Sequence, residues 1–114
     1  MTDCLFCRIV AGEIPATVVI DEPELIAIRD VNPQAPTHVL VLPKEHIESA
    51  AELSAEHRDL WAAILAAAQH VAQADGIDRD GYRLVANIGR AGGQTVQHLH
   101  LHVLGGRQMT WPPG

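Results

Sequence analysis

Residues 97–106 read QHLHLHVLGG, in which His98, His100 and His102 alternate with Leu99, Leu101 and Val103. Successive side chains on a strand point to opposite faces. A strand here puts three imidazoles on one face and the apolar residues on the other, whereas a helix would scatter the histidines around its circumference. Gly105-Gly106 ends the run. The pattern predicts a terminal strand over His98–Leu104. A solvated polar face would not need the same residue three times at period two, so the ladder points to chemistry.

Upstream of the ladder, RAGGQT (90–95) reads as a glycine loop and YRLVANI (82–88) as a strand. A long helix is predicted from Ser54, its N-cap, to Asp75, with Gly76 as terminator. Leu60, Ile64, Ala67 and Val71 fall at helical spacing, and His57 and His70 read as surface residues of that helix without a function. HVLVLP (38–43) is strongly aliphatic and predicts a central strand. VNPQAP (31–36) is a loop because of its two prolines. TVVI (17–20) and LIAIR (25–29) form a hairpin through DEPE. CLFCRIVAGEIPA (4–16) opens as one short helix stopped by Gly12 and Pro15. The predicted fold class is α+β: an antiparallel sheet of about five strands with one long and one short helix.

A length of 114 residues suits one compact domain spanning 1–114. With 47% hydrophobic residues but only two Trp, one Tyr and one Phe, the core must be aliphatic and rich in alanine. The formal net charge of −6 argues against long nucleic acid, which needs a basic footprint. It leaves room for one nucleotide, whose phosphate backbone N–H groups and imidazoles can hold. The first apolar stretch is short and broken by charge, and no run reaches membrane-spanning length. The expected setting is the cytoplasm, with no membrane partner. A disulfide is not expected to persist there, so Cys4 and Cys7 read as a metal half-site or as thiols.

A neutral imidazole is a nucleophile near pH 7 and a leaving group once it is charged. Attack on phosphorus gives a nucleotidyl-histidine that water can release, while a second imidazole orients the first and a third carries a proton. Close imidazoles resist being charged together, which keeps one neutral. The competing chemistry is a metal on alternate histidines of a strand. Gly92 and Gly93 favour the phosphate reading, because glycine lets backbone N–H groups come close to an anion.

HLHLHVL matches the pattern His-φ-His-φ-His-φ-φ, φ being apolar, of the histidine triad superfamily. The stretches AGEIPA, RDVNPQAPTHVLVLPKEHI, GYRLVANIG, AGGQTVQHLHLHVLGGRQM and WPPG resemble its HINT-type branch of purine nucleoside phosphoramidases, in order and over most of the chain. The resemblance implies a HIT-like fold, a homodimer and a purine nucleotide substrate. It implies hydrolysis of nucleoside 5′-phosphoramidates to the monophosphate and an amine. His100 would be the nucleophile, His102 would contact phosphate and assist the leaving group, His98 would buttress the cluster, and His38 would join the relay. Asp30 would accept the ribose hydroxyls, as a carboxylate does well. Asn87, Gly93 and Val96 would lie at the phosphate, and Ile9, Ile28 and Val31 would line the base pocket. Trp111 in the tail would lie near the partner's site, and the long helix would contribute to the dimer interface.

The sequence departs from that branch in two places. Thr95 stands where Ser is frequent, so the hydroxyl is kept and a methyl added. The Cys4/Cys7 pair resembles bacterial-type histidine triad proteins, which implies a structural zinc on Cys4, Cys7, His46 and His98. No cofactor is required for the chemistry itself. The alternatives are a dinucleoside polyphosphate hydrolase and a non-catalytic purine-nucleotide-binding protein.

Overall fold

Seven consecutive residues without a charge, THVLVLP, form β3 (Thr37–Pro43), buried along its whole length. Such a strand belongs where both of its faces are covered. In the computed structural model, which describes residues 3–114, β3 takes the centre of a five-stranded sheet. The strands are β1 (Val18–Asp21), β2 (Leu25–Arg29), β3, β4 (Tyr82–Val85) and β5 (Leu101–Gly105). Their spatial order is β1-β2-β3-β5-β4, and all four pairings are antiparallel. The short helix α1 (Leu5–Val10) and the long helix α2 (Arg58–Ala74) complete the predicted α+β architecture. Among the described residues, no helix is long and apolar enough to cross a membrane.

Strand alternation divides the core by residue parity. Leu25, Ala27, Val39, Val41, Leu99, Leu101 and Val103 pack against Ile64, Ala67, Ala68, Val71 and Ala72 of α2. Ile26, Ile28, Leu40 and Leu42 pack against Phe6 of α1, with Ile9 and Val10 beside them. The α1 side is thus the even-numbered face. It is the face to which parity assigns His38, His98, His100 and His102.

The predicted long helix begins one turn late. Ala55–His57 is a 3-10 turn, and α2 starts at Arg58. Ser54 Oγ accepts the Glu56 N–H, and His57 Nδ1 accepts the Ser54 N–H at 3.0 Å. His57 therefore fills the place that Glu or Gln takes in a capping box. Gly76, at φ 74°, ends the helix in the left-handed conformation that glycine adopts without strain.

At the C-terminal end of α2, Asp75 accepts both Arg29 Nη1–H and Nη2–H (2.9 and 3.0 Å) and the Thr37 Oγ1–H (2.8 Å). The bidentate pair holds the Asp75 carboxyl below its ordinary range and raises the Arg29 guanidinium. This staple joins α2 to the ends of β2 and β3, immediately behind Asp30 and His38. The Asp30 N–H closes the same corner on His38 O at 2.9 Å.

Two strands are shorter than the sequence predicts. β5 starts at Leu101, so His98, at a bend, and His100 lie in the segment leading into it rather than on the ladder. Past Val41↔Leu101 the neighbouring strand reaches Pro43, which has no N–H. The Pro43 carbonyl is taken by His98 Nε2–H (2.8 Å), and the Leu99 N–H turns to Ile47 O (2.6 Å). β4 ends at Val85, three residues before Ile88, as the chain enters the glycine loop.

Candidate active site

His38 and His102 are diagonal neighbours on adjacent strands, in the register His38↔Leu104 and Leu40↔His102. Their rings meet at 2.9 Å, Nε2 to Nδ1. The protons in this pair follow from fixed donors and acceptors. The Gln34 N–H donates to His38 Nδ1 (3.0 Å), so His38 carries its proton on Nε2 and donates it to His102 Nδ1. Asp30 Oδ2 lies 3.4 Å from the same His38 Nε2. His102 must then be protonated on Nε2. That atom is buried and has no hydrogen-bond partner among the described residues.

His100 is fixed with the opposite polarity. Its Nδ1–H donates to His98 O at 2.7 Å, and a carbonyl can only accept. The Nε2 lone pair is left for chemistry. The ring is buried between Phe6, whose edge-on centroid is 5.0 Å away, and His102 at 4.9 Å. A free-facing lone pair on His100 and a donor N–H on His102 therefore belong to neighbouring rings on one face.

Burial lowers the pKa values of His38, His98, His100 and His102. His102 is pushed down to about 4 by burial and by the neighbouring His100 and His38, against the pull of Asp30. His38 is lowered by burial and only partly restored by Asp30. His100 is lowered by burial, opposed by its bond to His98 O and by Asp30.

A second constellation lies at the other end of the histidine segment. Cys4, Cys7, His46 and His98 bring one ligand atom each within 4.8 Å of one another. Cys4 caps α1, its Sγ accepting the Cys7 N–H at 3.4 Å. His98 Nε2–H is committed to Pro43 O, so the Nδ1 lone pair faces Cys4 Sγ (3.3 Å) and Cys7 Sγ (3.6 Å). His46 Nδ1 lies 3.3 Å from Cys7 Sγ. Two thiols and two imidazole lone pairs converging in this way are a donor set of the kind zinc takes. Asp30, His38 and His102 also converge, but the ring nitrogens there bond one another and form a relay.

Gln94 organises the glycine loop, a role that nothing in the local sequence signals. Its buried side chain accepts the Gly89 N–H (2.9 Å) and donates to Glu48 O (2.7 Å) and Val96 O (3.0 Å). A Cβ at Gly92 would fall 2.3 Å from Ile88 O, so that glycine is required by its own backbone rather than by a ligand. Gly93 sits at φ 86° with its N–H bonded to Arg90 O, which makes its part conformational. Thr95 and Val96 line a cleft with Cys4, Leu5 and His46. Asn87 is half-buried just beyond β4. Of the residues expected at the base, Ile28 is buried and Ile9 packs beside it, while Val31 is 97% exposed. Trp111 is 82% exposed in the tail. Phe6 was also missed, because a lone aromatic on a short helix reads as core.

Residues 11–109 match the HIT domain. The chain belongs to the HIT domain family. An uncharacterised HIT-like protein of Synechococcus elongatus is 48% identical over 112 residues, covering 98% of this chain and 97% of the relative. A 14 kDa zinc-binding protein of Zea mays is 46% identical over 112 residues, covering 96% and 87%. Among solved structures, a HIT family hydrolase from Legionella pneumophila superposes with TM-score 0.96 at 54% identity, covering 98% of this chain and all of the other.

The depressed imidazoles of this HIT domain have a consequence for stability. His102 titrates at about 4 when folded and near 6.5 when not. Between those values the unfolded chain binds a proton that the native one refuses, so stability is lost as pH falls. His38 shifts in the same direction. For His102 alone the loss from pH 7 to pH 4 is about 3 kcal/mol. Urea midpoints measured across that range should fall steadily, and less so in His102→Gln. Equal slopes in the two proteins would show that His102 does not carry the effect.

Proposed function

We propose that this HIT protein hydrolyses purine nucleoside 5′-phosphoramidates to the nucleoside monophosphate and an amine, working as a homodimer. The observation that carries this reading is the pair of opposed nitrogens: a His100 Nε2 lone pair beside a buried, unpartnered His102 Nε2–H. One attacks phosphorus and the other meets the charge that develops there.

The base lies on the apolar side of the sheet by Ile28 and Ile9, the ribose hydroxyls bind Asp30, and the phosphate lies between the histidines and the Thr95–Val96 loop. Asn87 stands at the α-phosphate. His100 Nε2 forms a bond to phosphorus in line with the departing amine, and the P–N bond breaks. The substrate nitrogen takes its proton from solvent and leaves as the neutral amine, with the Thr95 hydroxyl beside it, while His102 keeps its Nε2–H on a phosphate oxygen. The nucleotidyl-His100 ring, still N–H-bonded to His98 O, is cationic and therefore a good leaving group. Water then attacks phosphorus, its proton passes to solvent, and the P–N bond to His100 breaks. His38 holds His102 in this tautomer across the 2.9 Å contact.

Cys4, Cys7, His46 and His98 would hold a structural zinc. Bound there, zinc would fix α1 and the His98 backbone, whose carbonyl clamps His100; it would supply no electrophile to the reaction. In a dimer the exposed Trp111 would reach the partner's leaving-group side. The Zea mays relative, called a zinc-binding protein, and the Legionella one, called a hydrolase, support these readings.

The test is kcat/KM for adenosine 5′-phosphoramidate against a diadenosine polyphosphate. Preference for the phosphoramidate is expected. Preference for the dinucleotide would move the protein to polyphosphate hydrolysis, and binding without turnover of either would make it a nucleotide-binding protein.

A further inference from the structure

An imidazole left to itself exchanges between two neutral tautomers, so the proton on His102 Nε2 is only as well placed as the groups that fix His38. What fixes His38 Nδ1 is a backbone N–H, that of Gln34, in the loop between β2 and β3. A loop needs anchors to hold one N–H on one nitrogen. On the β2 side the anchor is internal: the Asn32 N–H bonds Asp30 Oδ1 (2.8 Å), and Gln34 Nε2–H bonds Asn32 O (3.0 Å). On the other side the loop rests on residues from the far end of the chain. Gly106, at φ 91°, lies so close to Pro36 that a Cβ would come within 2.9 Å of the Pro36 Cβ. The next residue, Arg107, donates its Nε–H to Gln34 O at 2.9 Å and its Nη1–H to Gln108 O at 3.2 Å. The planar guanidinium bridges two carbonyls, which an ammonium on a flexible stem does poorly.

We propose that Gly106 and Arg107 form a tautomer lock: by clamping the Asp30–Pro36 loop they hold the Gln34 N–H on His38 Nδ1, and so place the proton on His102 Nε2. Arg107 is a positioning residue and touches no reacting atom. Its guanidinium ties the Gln34 carbonyl, the Gln34 amide sets His38, and His38 sets His102. The strand that carries His102 thus runs on into the residues that determine where its proton sits. The lock rests on the reading that His102 Nε2–H serves the substrate phosphate.

The experiment is a long-range 1H–15N correlation spectrum of the histidine rings in 15N-labelled, substrate-free protein at neutral pH, paired with phosphoramidate kinetics. In the wild type, His38 and His102 should each show a protonated Nε2 and an unprotonated Nδ1. In Arg107→Ala both should move toward a tautomer mixture, with kcat lowered roughly tenfold and KM little changed. Arg107→Lys should fall between. Gln34→Pro deletes the donor itself and should reproduce the mixture, which answers the question should Arg107→Ala fail to fold. The lock is wrong if wild-type His38 is protonated on Nδ1, if the variants keep the wild-type tautomers, or if tautomers shift while kcat does not. The spectra need no substrate. Absent wild-type turnover would therefore sink the phosphoramidase reading, and wrong tautomers would sink the lock.

Discussion

Replacing His100 by alanine is expected to lower kcat by at least about four orders of magnitude, because the variant has no atom to form the covalent intermediate. The neighbours cannot substitute. His102 offers an N–H rather than a lone pair toward the site, and His98 presents its lone pair to the cysteines. The substitution also empties a buried space beside Phe6 and leaves His98 O without its donor, which costs about 1–3 kcal/mol. His100→Gln separates the two effects, since an amide can still donate to that carbonyl but is no nucleophile. Both variants should be inactive, and Gln should be the more stable. Trapping the nucleotidyl adduct in the wild type by rapid acid quench, and finding none in either variant, would complete the assignment. Residual turnover within tenfold of wild type would remove His100 from the role of nucleophile.

The second large effect is expected at the sulfur end. Cys4→Ser should reduce bound zinc from roughly one per chain to none at ordinary concentrations, because a hydroxyl is a poor replacement for a thiolate. Serine is a favourable N-cap, so the cap that Cys4 gives α1 survives and the loss reports the ligand alone. A metal present at a thousandfold excess over its Kd contributes about 4 kcal/mol, which for a chain of this size is ~15 °C in Tm. Chelation of the wild type should give the same decrease. Activity should fall much less than in His100→Ala, since zinc would act only through the His98 carbonyl. Wild-type protein that is purified without zinc, and whose Tm a chelator leaves alone, would show that the four side chains merely pack together.

Periodicity made most of this architecture readable. HVLVLP announced a central strand, and the alternation in HLHLHV put the imidazoles on the face opposite Leu99, Leu101 and Val103, as the two core clusters bear out. The strand limits were not readable. His98 and His100 leave the ladder because Pro43 lacks an N–H and spends its carbonyl on a side chain, an arrangement between residues 55 positions apart in the chain. Gln94, Phe6 and His57 escaped for a related reason. Each looks ordinary locally, and its importance lies in the partners that folding supplies: Glu48 O for Gln94, two imidazoles for Phe6, and its own cap for His57. The residues of the two candidate sites were legible through resemblance, and the tertiary contacts then gave each ring its proton.

The parity that divides the two faces of the sheet also makes the site a quantised object. In the proposed reaction His98 belongs to the sulfur cluster, His100 to the attacking position and His102 to the relay, and each step between them is two residues along the chain. Adding or deleting one residue within this segment would not stretch the site. It would turn every imidazole on one side of the change into the alanine-lined packing under α2, and send leucines out to face phosphate. The spacing between the cysteine-bound end and the proton-bearing end can therefore change only in pairs of residues. Length variation is left to the loops outside the segment, where the chain has no face to keep.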